Sequence, residues 1–307
     1  MRFLFSVSIT DHGRWILLST YGCGDARSRN GGRLRHSEDE NNERSVKMEY
    51  QTIICDKSDR IAVITLNRPK NMNALNSQLL EELDCAIADI ACDEEIKVVI
   101  LTGNEKFFAA GADITEIDTI ENSVDVHRFI HLVQNVINRI EDLEKPVIAA
   151  VCGLALGGGF ELALACDIRL AAENAVFALP EIKLGLIPGG GGTQRLSRLI
   201  GTGLAKELVY TGNTIDAHET LRIGVVNKVY PLVSLMDEAK KVALKMAGYS
   251  GEAIKAAKLA INGGINMDVK SGIAYEARCF EVLFATEDRK EGVKAFIEKR
   301  KPQFNDR

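Results

Sequence analysis

Apolar residues along the chain fall into short unbroken runs and longer periodic ones, and the two kinds alternate. Residues 50–55 and 61–66 are β-rich runs separated by Asp56-Lys57-Ser58-Asp59-Arg60, a hairpin signal. Residues 97–101 and 147–151 have the length and unbroken apolar character of buried strands, and 168–171 and 225–229 add two shorter ones. Between them Leu79, Leu80, Leu83, Ile87 and Ile90 keep helical spacing, and 124–143 form a long amphipathic pattern stopped by Lys145-Pro146. From 236 to 299 apolar residues recur every three or four positions, so that part is helical. Alternating strands and helices predict an α/β fold with parallel pairing, capped by helices. We expect a core over residues 48–240 and a helical region over 241–307, the helical tail itself beginning near Leu235. Ile273, Phe280, Val282 and Leu283 are more apolar surface than a small appendage needs, which points to a subunit interface.

The first 47 residues break the pattern. Residues 1–18 start like a signal peptide, but Asp11, His12 and Arg14 interrupt the apolar stretch. Residues 26–44 are rich in Arg, Gly, Asn and Glu without periodicity, and disorder is expected there. The Arg and Ser content suits an organelle transit peptide; Asp11, Asp25 and Glu38-Asp39-Glu40 argue against one. We expect a non-structural extension, with Met48 opening the folded part.

Composition narrows the function classes. A net charge of -5 over 307 residues leaves no basic footprint for nucleic acid or an anionic membrane surface. No apolar run approaches the roughly 18 residues of a membrane-spanning helix. The seven cysteines (23, 55, 85, 92, 152, 166 and 279) are scattered without a CxxC pair, the usage of reduced intracellular thiols, several of them core residues. The expected compartment is the cytoplasm, in preference to a mitochondrial matrix.

Two glycine clusters invite a phosphate-binding reading. Gly189 to Gly192 is followed by no GK[ST], and no GxGxxG follows the first strand, so neither a P-loop nor a dinucleotide fold is expected. His127 and His131 are four apart on a helix, but no HExxH glutamate and no third ligand accompany them; a solvated or packed helix face is the expectation. No GxSxG nucleophile setting occurs.

The other cluster, Gly157-Gly158-Gly159, follows a buried strand and runs into Phe160-Glu161-Leu162-Ala163. Strand, glycine turn and helix aim backbone N–H groups and the positive end of a helix dipole at a ligand. Glu161 is one carboxylate in an apolar helix start, which requires a cap, a buried Arg or a chemical role. Glu181, after Phe177-Ala178-Leu179-Pro180, is a second acid in apolar company, either a loop carboxylate bonded to nearby N–H groups or half of an acid–base pair. Phe107-Phe108-Ala109-Ala110-Gly111-Ala112-Asp113-Ile114 is an apolar stretch of small residues that reads as a pocket-lining loop.

Four segments in order resemble the enoyl-CoA hydratase (crotonase) family: Leu66-Asn67-Arg68-Pro69 with Asn73-Ala74-Leu75, residues 108–114, residues 153–167 and residues 177–196. The resemblance spans about 48–304. It implies a repeated ββα spiral core with a helical oligomerisation region, and a hexamer built as a dimer of trimers. It implies an oxyanion hole from the backbone N–H groups of Ala112 and Gly158, with Glu161 as base for a water attacking C3 and Glu181 as the acid that protonates C2. The substrate implied is a trans-2-enoyl-CoA thioester and the product a 3-hydroxyacyl-CoA, with no metal or redox cofactor. Ala110, Ala112, Asp113, Ile114, Thr115 and Gly158 become substrate-binding candidates. Lys70 becomes a candidate for the CoA phosphates, against the alternative of a solvated surface lysine. Many relatives carry Lys where this chain has Thr115, which removes the ionic CoA contact expected there. Asp113 is assigned to shaping the loop or to CoA-side binding. The family also holds isomerases, which often lack one of the two acids, so the presence of both points to a hydratase; isomerisation, an unusual (cyclic or branched) acyl group and a silent acyl-CoA-binding scaffold are the alternatives.

Overall fold

The computed structural model describes residues 6–9, 15–18 and 50–307. The chain divides into two units, residues 1–47 and 48–307. In the first, β1 (Ser6–Ile9) pairs antiparallel with β2 (Trp15–Leu18). The expectations for residues 26–44 and for Cys23 lie outside the described residues.

The second unit begins with β3 (Ile53–Ser58) and β4 (Ile61–Leu66), an antiparallel hairpin. Its turn is tighter than the sequence suggests. The strand runs on to Ser58, and only Asp59 and Arg60, both at positive φ (52° and 66°), make the reversal. Positive φ at both central residues is what the right-handed twist of a two-residue hairpin demands.

There follow α1 (Ser77–Cys92), β5 (Val98–Thr102), β6 (Phe107–Ala109), the one-turn α2 (Ile114–Ile117), α3 (Ser123–Asp142), β7 (Val147–Val151), β8 (Leu154–Leu156), α4 (Gly158–Ala165), β9 (Ile168–Ala172) and β10 (Val176–Ala178). After a 3₁₀ turn at Pro180–Leu184 come α5 (Gly192–Ile200), α6 (Thr202–Thr211), β11 (Ile215–Asp216), α7 (Ala217–Arg222) and β12 (Lys228–Tyr230). Four helices close the chain: α8 (Leu235–Ala247), α9 (Gly251–Gly264), α10 (Val269–Leu283) and α11 (Glu287–Ile297).

Two sheets share these strands. The large one has the order β12-β9-β7-β5-β4-β3 and is parallel apart from β3; the small one has the order β11-β10-β8-β6 and is parallel apart from β11. The chain crosses between them at each turn of a spiral. β5, β7 and β9 lie in the large sheet, and β6, β8 and β10, each a few residues later, in the small one. The unbroken apolar runs have a simple cause: β5 and β7 are buried on both faces. Val99 and Leu101 face the main core with α1 and α3, while Val98, Ile100 and Ile148 face α8.

The helical tail begins at Leu235, as expected, and its first helix belongs to this second core. Leu235, Ala239, Ala243 and Ala247, one every four residues, lay a buried stripe of α8 on the large sheet. The 240/241 division therefore falls inside a helix of the core, and α9 and α10, which follow it, bury no residue. Residues 107–109, expected as loop, form strand β6 because they pair with β8, an interaction invisible in three residues of sequence. The last strand sits at Lys228–Tyr230, while Val225 and Val226 before it are core residues of the preceding turn.

Asn73 ties the loop after β4 to β6. It is fully buried at φ 56°; its Oδ1 accepts from Arg68 N–H (2.8 Å), and its Nδ2 donates to Phe107 O (3.0 Å) and Phe108 O (3.2 Å). Asn is among the few residues that tolerate this left-handed conformation. Asn73→Ala leaves those groups unpaired, and a loss of about 2–4 kcal/mol in unfolding free energy is expected from urea titration.

Candidate active site

Each parallel strand of the small sheet ends at a residue singled out in the sequence. Ala112 follows β6 by three residues, Gly158 follows β8 by two, and Glu181 follows β10 by three. Loops beyond the C-terminal ends of parallel strands are where α/β folds place ligands.

The turn after β8 depends on Gly157, whose φ of 49° and ψ of -124° are closed to residues with a side chain. Its N–H donates to Ala178 O (2.9 Å), and its carbonyl accepts from Glu161 N–H (2.9 Å), which starts α4. One residue on, a Cβ at Gly159 would collide with the Ala109 carbonyl, so α4 and β6 touch main chain to main chain. On the other side Leu75 grips the loop after β6. Its N–H donates to Gly111 O (2.7 Å) and its carbonyl accepts from Asp113 N–H (2.9 Å). With its neighbours held by Leu75, the peptide N–H of Ala112 faces away from Leu75, toward α4. A Cβ at Gly158 would lie 3.7 Å from Ala112 N. Among the described residues neither the Ala112 nor the Gly158 N–H has an acceptor. Two adjacent unpaired donors at a helix N-terminus make an anion site.

Glu161 lies in the first turn of α4, 2% exposed. Neither bland alternative describes it: it does not cap its own helix, and its bonded partner is no arginine. Its Oε1 accepts from Gly192 N–H (2.7 Å), at the start of α5. Burial pushes its pKa above the usual carboxylate range, while the N–H groups of Gly192, Gly190 and Gly191 and the charge of Arg195 pull it back. This gives the second glycine cluster its meaning. A Cβ at Gly190 would sit 2.8 Å from Glu161 Oε2, and one at Gly192 2.9 Å from Oε1. The glycines let a main chain press on a carboxylate of the protein itself.

Glu181 opens the 3₁₀ turn, half-buried, beside Gly157: a Cβ there would stand 2.9 Å from Glu181 Oε1. Its Oε2 is buried without a hydrogen-bond partner among the described residues. Burial first, then the charge of Glu161, drives its pKa up to about 7. The two acids thus have different surroundings, one held by N–H groups and one unsatisfied, the arrangement that separates a base from an acid.

The remaining candidates divide. Asp113 is buried and taken up internally. It accepts from Thr115 Oγ1 (2.7 Å) and Thr115 N–H (3.2 Å) and pairs with Arg68 (3.0 Å); the Thr115 bond, followed by Arg68, holds its pKa below the usual range. Asp113 and Thr115 therefore shape the loop by capping α2, and the exposed Ile114 and the backbone at Ala110 and Ala112 are what the segment presents. Ala110 is itself fixed through its N–H to Met72 O (3.1 Å). Lys70 stands exposed on a 3₁₀ turn at Pro69–Asn71, with no ion pair among the described residues. The rings of His127 and His131 meet edge to face, centroids 4.1 Å apart, on an exposed face of α3. Reading the sequence missed Leu75, an apolar residue acting through its backbone, and Arg195, whose only signal is its place three residues after the glycine run.

A spiral of paired strands with an N–H pair and two acids at the strand ends defines the crotonase class of fold. Solved structures agree. The crystal structure of enoyl-CoA hydratase from Bacillus anthracis superposes with a TM-score of 0.81 at 44% identity, covering 84% of this chain and 100% of that one. The chain belongs to the enoyl-CoA hydratase/isomerase family, whose profile (Enoyl-CoA hydratase/isomerase) matches residues 56–307. It is 51% identical over 255 residues to the short-chain-enoyl-CoA hydratase of Clostridium acetobutylicum, covering 83% of this chain and 97% of that protein. It is 46% identical over 258 residues to the crotonyl-CoA hydratase of Syntrophomonas wolfei, covering 84% and 99%.

The raised pKa of Glu181 has a consequence for stability. An acid whose folded value (about 7) exceeds its starting value (4.5) favours folding below pH 4.5, and that contribution is lost as pH rises through 7. Replacing Glu181 by Gln removes the term. Between pH 4.5 and 8 the unfolding free energy of Glu181→Gln should gain about 1–2 kcal/mol on wild type, the partial exposure of the group having been discounted. Denaturant titrations across that range measure the gap.

Proposed function

We propose that this protein is an enoyl-CoA hydratase, a hydro-lyase that adds water reversibly across the double bond of a short trans-2-enoyl-CoA. The observation that carries the reading is the pair of unpaired N–H groups, Ala112 and Gly158, beside one buried and one half-buried acid with different surroundings. The thioester oxygen accepts from both N–H groups, and a water lies between Glu161 and Glu181. Glu161 removes a proton as the water oxygen attacks C3. The electrons of the C2–C3 bond pass to the thioester oxygen, giving an enolate that the two donors and the α4 dipole stabilise. Collapse of the enolate takes the proton of Glu181 onto C2. Proton exchange between the two acids resets the pair, which titrates as a unit. The reaction is redox-neutral, water is its only co-reactant, and CoA is a handle on the substrate; the chemistry calls for no resident metal or redox cofactor.

The hydratase relatives support the activity, and their short-chain and crotonyl names support a short acyl group. Two acids support hydration over isomerisation, since shifting a double bond moves one proton and needs one. Lys70, exposed on its 3₁₀ turn, suits a CoA phosphate. A cytoplasmic compartment fits six free cysteines among the described residues and bacterial relatives; no helix among the described residues is long and apolar enough to cross a membrane.

Assembly follows from the same reading. Val269 (78% exposed), Ile273, Phe280, Val282 and Phe296 (85%) leave α10 and α11 with an apolar surface a lone chain does not bury. We expect a hexamer of two trimers, and sedimentation should give six times the chain mass of 33.6 kDa; a monomer would contradict it.

Hydration of crotonyl-CoA, followed by loss of enoyl absorbance, tests the activity. Glu161→Gln and Glu181→Gln should each lower kcat by about 10²–10⁴ while the substrate still binds. A wild type that moves the double bond without adding water would mark an isomerase, and binding without turnover a scaffold.

A further inference from the structure

The proton chemistry leaves unexplained a set of polar side chains behind the glycine segment 189–192. Gln134 on α3 donates from Nε2 to Gly189 O (2.8 Å). Arg195 on α5 donates from Nη1 to Gly190 O (2.9 Å), from Nη2 to Asn138 Oδ1 (2.7 Å), and from Nε and Nη2 to Glu141 Oε2 (3.1 and 2.6 Å). Asn138 and Glu141 are both on α3.

A peptide unit is planar and trans, so its C=O and N–H point in opposite directions. Holding Gly189 O therefore aims the N–H of Gly190, and holding Gly190 O aims the N–H of Gly191. These are two of the N–H groups that favour the charged form of Glu161, the third being Gly192 at 2.7 Å. The Gln134 and Arg195 side chains grip the back of peptides whose fronts face the carboxylate. Gly191 (φ 109°) is part of the fit, since a Cβ there would run into Arg195 Nη1.

We propose that Arg195, assisted by Gln134, is a positioning residue for Glu161, clamping the carbonyl edge of residues 189–191 to α3 so that the N–H edge stays aimed at the base. The proposal rests on the hydratase reading, in which Glu161 takes the proton from water. A structural ion pair between α5 and α3 needs only Glu141; the bonds to Asn138 and to Gly190 O go beyond such a pair, and the second reaches the glycine main chain. A planar fork with five donors reaches Gly190, Asn138 and Glu141 together, which an ammonium group cannot do. Arg195 is also within reach of solvent, its side chain 13% exposed at a cleft of about 420 Å³ between α3, α5 and α9.

The charged groups around the base are few. Arg195 faces Glu161 from α5 and Glu181 from the 3₁₀ turn; Glu141 and Asp142 of α3 face Arg195 from behind. Removing Arg195 takes away a positive charge and slackens the donors, and both changes favour protonated Glu161. The acid limb of kcat/KM, where the base takes up a proton, must then move to higher pH.

The test is crotonyl-CoA hydration across pH by wild type, Arg195→Met, Arg195→Lys and Gln134→Leu, each with Glu161 and with Glu161→Gln. Arg195→Met should lower kcat about 10- to 100-fold with KM within about 3-fold, and raise the acid limb by about one pH unit. Arg195→Lys keeps the charge but not the fork, so kcat should fall with a smaller shift of the limb. Gln134→Leu should lower kcat without any change of charge, and serves if Arg195→Met fails to fold. With Glu161→Gln, where no base remains to be aimed, each of these changes should cost less than about 2-fold. An equal loss in both backgrounds, or wild-type kcat with an unmoved limb, overturns the proposal. The Gly192 amide resonance of glycine-labelled protein reads the same contact without turnover, and its titration midpoint should rise in Arg195→Met. A rise in a protein that hydrates no enoyl-CoA would sink the hydratase reading and leave the clamp; an unmoved midpoint in an active enzyme would sink the clamp alone.

Discussion

A carboxylate buried in an apolar helix is affordable only if its charge is met, and Glu161 is met by the main chain of another helix. The contact between its Oε1 and the Gly192 N–H dictates much of what surrounds it. Residues 190 and 192 have no room for side chains beside the carboxylate. α5 must start where α4 starts, so the loops after β8 and β10 must converge. The segment between the 3₁₀ turn and α5 must be held from behind, which fixes α3 alongside both helices. An apolar partner for Glu161 would impose none of this.

The two sheets divide the work. The large one, whose central strands β5 and β7 are buried on both faces, packs between the main core and α8 and is the frame. The small one, three parallel strands of three residues each, delivers groups to one place. Strands so short gain little from their own ladder; they hold position because the chain enters each directly from a strand of the large sheet. Contacts such as Gly159 on the Ala109 carbonyl then fix neighbouring turns of the spiral against each other.

What could be read from the sequence follows from how local each signal is. The strand at Val147–Val151 and the helix through Leu79 to Ile90 were readable because burial marks consecutive residues, as an unbroken apolar run in the first and a helical period in the second. Glu161 and Glu181 stood out because isolated acids in apolar runs demand a reason. β6 was not readable, because three residues acquire strand character only from a partner 45 or so positions away. The role of Gly189 to Gly192 was hidden for a similar reason: glycine reports that something approaches closely, and says nothing of whether it is a bound phosphate or the protein's own carboxylate. Leu75 acts through its N–H and carbonyl, which every residue but proline possesses, so no side-chain pattern can announce it.

Ala112, Gly158 with Glu161, and Glu181 come from successive turns of the spiral, so in the proposed mechanism the groups that grip the thioester are independent of the one that supplies a proton to C2. A change confined to the end of β10 can replace the acid while the oxygen-binding donors after β6 and β8 keep their places. Stabilising an enolate and deciding what happens to it are thus separately mutable. Lineages descended from one such scaffold can exchange one reaction on a thioester for another without passing through a form that has lost its hold on the substrate.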